Sequence, residues 1–169
     1  MKIRDLSKAA LVSALLCIIS PFTIPVGVVP LSLSTFMVFI AAIVLKPAYA
    51  TASVAVYLML GAFGLPVFSG SNGGIGVFFG ATGGFLTGYV PGVFAASFLK
   101  KKIGIPLSLI VATLIIYVFG IMWLTVVTGN TLLQSALVCI PILPGDALKI
   151  VGAYIIGVKI GKSNYRIRM

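Results

Sequence analysis

The chain has no histidine, and its 169 residues include only two acidic ones, Asp5 and Asp146. Those shortages remove most enzymatic chemistry. Neither a Ser-His-Asp constellation nor a pair of carboxylates for acid and base work can be assembled inside the apolar part of the chain. A lysine nucleophile would rest on Lys149 alone, and the chain reads as a non-enzyme. No metal site is expected either, because Cys17 and Cys139 lack ligand spacing and have no His to complete a set. The two cysteines read as small apolar packing residues; sequence alone leaves a disulfide between them open. Charge of any sign is scarce. Charged residues make up 8% of the chain and hydrophobic ones 60%, with a mean hydropathy of +1.24, whereas soluble domains carry roughly 25% charged residues. Too little polar surface exists to face water, so the bilayer is expected to be the solvent.

A spanning helix takes about 20 residues, so the chain accommodates roughly six spans with short loops and no separate soluble domain. The expected fold is an all-α integral membrane protein, one six-helix transmembrane domain over 1–169. Apolar runs between Pro, Gly and Lys punctuation place the spans at 6–22, 31–45, 48–61, 81–99, 103–128 and 146–161. Pro21, Pro25 and Pro30 mark the first connection and Lys46-Pro47 the second. The net charge of +10 comes from twelve Lys and Arg. With both termini in the cytoplasm, the inner segments hold Lys2, Arg4, Lys8, Lys46, Lys100, Lys101, Lys102, Lys159, Lys162, Arg166 and Arg168, which fits the positive-inside rule. Lys149 is the exception. The basic residues form no aromatic-and-basic face outside the apolar runs, so nucleic acid is not expected as a partner. The N-terminus mimics a secretory signal. No small-x-small cleavage site follows it, however, and Leu16 before Cys17 spoils a lipoprotein site, so it reads as a retained first helix.

Three outer connections remain, 20–30, 62–80 and 129–145, rich in Gly, Pro, Ser and aromatic residues. The second is too apolar for a solvated linker and is expected to fold over the helices. The third contains a short helical stretch over 132–140. Asp146 and Lys149 stand out, because intramembrane charges are costly and point to function. At i,i+3 they share a helix face, and Asp146 after Pro144-Gly145 falls in a first turn, where a carboxylate is favoured. The plainer alternative is a helix cap beside a snorkelling lysine; the pair is read here as the polar anchor of an outward-facing pocket. Phe36, Phe63, Phe68, Phe78, Phe79, Phe85 and Tyr89 are candidates to wall an apolar ligand. Gly80, Gly84, Gly88, Gly92 and Ala96 form a stripe for close helix approach, read as internal packing, and Ala10 and Ala14 form a shorter small patch on the first helix. Gly157–Ser163 resembles a phosphate-binding loop with one residue too few between its glycines. Energy for transport would have to come from a partner.

Four stretches, over 30–36, 57–70, 80–89 and 140–149, together resemble the BioY family, the biotin-specific S components of energy-coupling-factor (ECF) transporters. The likeness runs over most of the chain in order. It implies a multi-pass cell-membrane subunit with cytoplasmic termini that captures biotin under outer loops. It also implies partners: a transmembrane coupling protein and two cytoplasmic ATPases that use ATP, with no cofactor in the subunit itself. Asp146 and Lys149 fall on the family's Gly-Asp-x-x-Lys motif. The resemblance carries the expected biotin site to Thr35, Phe36, Phe68, Asn72, Gly73, Gly74 and Tyr89, and the docking of the coupling protein to Ala10 and Ala14. Two departures stand out: Ser34 where the family usually has Gln, and Ala81 where it usually has Pro. On chemistry, Asp146 can accept from a ureido N–H, while Lys149 or Asn72 can donate to the ureido carbonyl; Lys149 can equally pair with the biotin carboxylate. The alternatives are an S component for another vitamin or a biotin precursor, and a membrane scaffold without a small-molecule site.

Overall fold

The computed structural model describes residues 3–24 and 29–166, with side chains as far as Lys159. Lys2, Pro25 and Arg168 lie outside the described residues, as do the side chains of Lys162 and Arg166. Helices dominate. In chain order they are α1 (Ile3–Ile19), α2 (Ser34–Val44), α3 (Pro47–Ala62), α4 (Gly76–Phe79), α5 (Gly83–Ile103), α6 (Ile105–Thr128), α7 (Leu132–Cys139) and α8 (Leu143–Arg166). The all-helical expectation needs one correction. Between α1 and α2, strand β1 (Thr23–Ile24) pairs antiparallel with β2 (Leu31–Ser32).

Local chemistry explains the boundaries. Pro47 opens α3 at a position where its missing N–H is no loss. Gly104, at φ 85°, separates α5 from α6. Gly129, at φ 69°, closes α6 with its N–H on the Thr125 carbonyl. A reciprocal capping box between Thr131 and Gln134 starts α7, the short helix expected over 132–140. The second span begins later than expected, at Ser34, because Leu31 and Ser32 are taken by β2. The sixth begins earlier, at Leu143, because Pro144 is tolerated in a first turn. The loop-like Gly157–Ser163 segment runs through α8 as helix, and both cysteines are free thiols.

Among the described residues, two helical runs are long and apolar enough to cross a bilayer, Ile105–Thr128 and Leu132–Lys159. The second run joins α7 to α8. The other expected spans fall short for visible reasons: α1, α2 and α3 have 17, 11 and 16 residues, and α5 is diluted by glycines and ends in three lysines.

The glycine stripe packs inside the molecule, as expected. A Cβ on Gly88 would stand 3.1 Å from Ile116 Cα and from Phe119 Cβ, and one on Gly92 would stand 2.9 Å from Ile116 Cγ1. A Cβ on Gly84 would collide with Trp123, and one on Gly120 with the Phe85 ring. Helices α5 and α6 therefore touch along most of their length. On the other side, Ser13 of α1 donates to the Ser53 carbonyl of α3 at 2.8 Å. Between the start of α1 and the turn from α2 to α3, Lys46 Nζ meets Asp5 Oδ2 at 2.9 Å. That hydrogen bond holds the Lys46 pKa above its ordinary value, though an exposed pair contributes little to stability.

Candidate ligand-binding site

A cavity of about 270 Å³ opens between α2, α5, α6 and α8 beneath the outer connections. Its apolar wall includes Val29, Phe68, Val77, Phe85, Ile116 and Ile142, and its polar wall includes Ser34, Thr35, Tyr89, Tyr117, Asp146 and Lys149. Asp146 and Lys149 are buried, at 4% and 8% exposure, and form an ion pair of 2.7 Å between Lys149 Nζ and Asp146 Oδ1. A lysine ammonium has three N–H groups. The other two donate to the Ser32 carbonyl at 2.6 Å and to Thr35 Oγ1 at 2.8 Å. Lys149 is thus fully used by the protein. Asp146 is not. Its Oδ2 accepts from the Tyr117 hydroxyl at 2.9 Å, and its Oδ1 accepts from Lys149 and, at 3.4 Å, from Thr35. A carboxylate offers about four acceptor positions, which leaves room for a further N–H.

A second chain of hydroxyls adjoins this network through Ser32 and Ser34. Ser32 Oγ lies 3.3 Å from the Ser20 carbonyl, to which it can only donate. With Ser32 donating there, Ser34 Oγ donates to Ser32 Oγ at 2.6 Å and the Tyr89 hydroxyl donates to Ser34 Oγ at 2.8 Å. In that arrangement all three protons are used, and the phenolic oxygen of Tyr89 is left as an acceptor on the cavity wall. Asp146 and Tyr89 together suit a ligand that presents N–H groups and is otherwise apolar.

The BioY family model matches residues 1–166. The chain belongs to the BioY family. The biotin transporter BioY of Thermotoga maritima is 37% identical over 163 residues, which is 94% of this chain and 96% of the relative. The biotin transporter BioY2 of Lactococcus lactis subsp. cremoris is 39% identical over 128 residues, 73% of this chain and 70% of the relative. The fold is similar to a crystal structure of the S-component for biotin from an ECF-type ABC transporter. There the TM-score is 0.87 at 30% identity, over 95% of this chain and 92% of that one.

In this BioY-family chain the expected site residues divide. Thr35, Phe68, Asn72, Tyr89, Asp146 and Lys149 all line the cavity. Asn72 is exposed, and its side-chain Nδ2 donates to the Ser69 carbonyl at 2.9 Å. Phe36, Gly73 and Gly74 do not reach the cavity wall. Phe36 packs toward Gly152 of α8, and Gly73 presses against the Leu65 carbonyl with no room for a Cβ. Gly74, at φ 96°, donates its N–H to the Gly61 carbonyl and shapes the 63–80 connection. Of the other aromatic candidates, Phe85 lines the cavity, and Phe78 stacks edge-on against Phe68. Phe63 and Phe79 point outward, at 88% and 69% exposure. The 62–80 connection does fold onto the helices, anchored by buried Val67 and Phe68. Ser32, Ser34, Ser69, Thr82 and Tyr117 are polar wall residues absent from the expected site. A tyrosine inside the most apolar helix and a serine at a helix start carry weak signals on their own. Ala10 and Ala14 are exposed on α1, while Ala9, Val12, Ser13 and Leu16 turn inward.

Proposed function

We propose that this chain captures biotin in the cell membrane as the S component of an ECF-type transporter. The observation that carries the reading is the pair of Asp146 and Tyr89 on the polar wall of a cavity whose other wall is apolar. Biotin's cyclic urea has two N–H groups and one carbonyl, on a thiophane ring and a valeryl chain that are apolar. Asp146 takes one ureido N–H, Tyr89 is suited to the other, and the free amide hydrogen of Asn72 serves the ureido carbonyl. Thr35 and Phe68 close the wall around the ring. Lys149 acts through Asp146, because its three N–H groups are already placed; it holds the carboxylate in position.

The same reading supplies the assembly. Six spans with cytoplasmic termini agree with the lysines gathered at the inner helix ends. The exposed Ala10 and Ala14 suit close approach of a helix from the coupling protein. Two ATPase subunits would supply the energy; the Gly157–Ser163 segment, one residue short of a phosphate-binding loop, is helical.

Equilibrium binding of labelled biotin to purified protein in detergent tests the proposal, with Asp146→Asn beside wild type. Saturable wild-type binding that the variant loses is the expected result. Displacement by another vitamin or a precursor more readily than by biotin would change the cargo. No saturable binding by folded wild type would favour the scaffold.

A further inference from the structure

The inner end of α2 is closed by a lysine from another helix. Lys100, in the last turn of α5, donates from Nζ to the carbonyls of Ala42, Ile43 and Leu45 at 2.7, 2.9 and 2.5 Å. One turn earlier, Ser97 Oγ donates to the same Leu45 carbonyl at 2.8 Å. The sequence explains the need. A helix leaves its last four carbonyls without intrahelical donors. Pro47 has no N–H to offer the Ile43 carbonyl, and Leu45 is already extended, at φ −101° and ψ 160°. The three N–H groups of one ammonium replace the missing turn, and a cation is favoured at that end of the helix dipole. Burial, with Lys101 beside it, pulls the Lys100 pKa down to about 8, which leaves it charged at neutral pH.

The outer end of α2 is held in a similar way. Ser34 and Thr35 form its first turn, and the Ser32 carbonyl just before it accepts from Lys149 at 2.6 Å. Helix α2 has 11 residues, about 16 Å of rise. It therefore hangs between two ammonium groups, one in the ligand cavity and one at the inner face. Between them its buried face is mostly apolar, with Met37, Val38, Phe39, Ala41 and Ala42. Packing of that face holds the helix against its neighbours, and the polar contacts at the two ends add directional anchors along its axis.

We propose that Lys100 is a positioning residue for the ligand site, capping the inner end of α2 and so fixing where Ser34 and Thr35 stand on the cavity wall. The affinity arm of this proposal rests on the biotin reading above. Lys100→Met and Lys100→Arg are compared with wild type, as full chains in detergent, by biotin titration and by amide hydrogen exchange over residues 33–37. The Met variant is expected to weaken binding about tenfold at unchanged stoichiometry and to speed exchange at 33–37. The Arg variant, which keeps a charged donor, should recover most of both. Wild-type affinity in the Met variant, or an Arg variant as weak as Met, overturns the proposal. Should the Met variant not fold, Lys100→Gln keeps a donor without the charge and is judged by the same criteria. If wild type binds no biotin, the biotin reading fails by itself. Exchange at 33–37 then still decides about Lys100: unchanged exchange in the Met variant overturns its role.

Discussion

A buried carboxylate beside a buried ammonium is stable only while both remain. Each charge near the hydrocarbon costs about 2.5–3.5 kcal/mol on insertion scales, and removing one partner of a buried pair typically costs about 3–5 kcal/mol because the other is left uncompensated. Asp146→Asn strands Lys149, and Lys149→Met strands Asp146. Each single variant should lower thermal stability in detergent and abolish biotin binding. The double variant should regain most of the stability and none of the binding, since the cavity then lacks its anionic acceptor. A double variant as unstable as either single would show that the pair is not the unit described. Tyr117→Phe asks a narrower question. It removes the donor to Asp146 Oδ2 at 2.9 Å and leaves the ring in place. A hydrogen bond to a charged group contributes about 1.5 kcal/mol or more, so biotin affinity should fall roughly tenfold. Unchanged affinity in calorimetric titration would remove Tyr117 from the site.

The elements that carry those residues depend on how closely α5 approaches α6. Tyr89 and Tyr117 face the cavity from these two helices, and Gly88 sits one position before Tyr89 against Ile116 and Phe119. Gly88→Leu should force the helices apart, destabilise the protein by about 1–3 kcal/mol as overpacking does, and weaken biotin binding with it. Gly76→Ala is the control. A Cβ there meets nothing within 4 Å, so stability and binding should both stay at wild-type values. Thermal unfolding and titration of the two variants decide the matter; a Gly88→Leu protein as stable as the control would contradict the packing. At this scale much was legible in the sequence. Apolar runs cut at Pro47 and Gly129 located the helices to within a few residues, and the four-residue glycine period pointed to internal packing. The i,i+3 spacing of Asp146 and Lys149 pointed to the buried ion pair on the cavity wall. The Thr23–Ser32 pairing was not legible, because two-residue strands leave no periodic signal. Tyr117 was hidden by the apolar run around it, where an aromatic reads as a core or lipid contact. Phe63 and Phe79 were misjudged for a related reason: a place in an outer connection does not reveal which way a side chain turns.

For the whole molecule, the proposed capture site and the proposed docking patch lie on separate faces. The cavity is walled by α2, α5, α6 and α8, whereas Ala10 and Ala14 lie exposed on α1, away from the inward row of Ala9, Val12, Ser13 and Leu16. That separation makes the two functions experimentally divisible. Replacing both exposed alanines with leucine adds bulk on the outer face of α1 and removes nothing from the core. Stability should change by no more than about 0.5 kcal/mol, as for other surface substitutions, and biotin affinity in detergent should match wild type. A coupling-protein helix could no longer approach closely, so biotin uptake by cells that contain the coupling protein and the two ATPases should be largely lost. The measurement pairs binding to the purified variant with uptake by the same cells. Uptake at the wild-type level would place the docking surface on another helix. Binding lost together with uptake would mean that α1 supports the cavity itself, and the division between capture and delivery would fall.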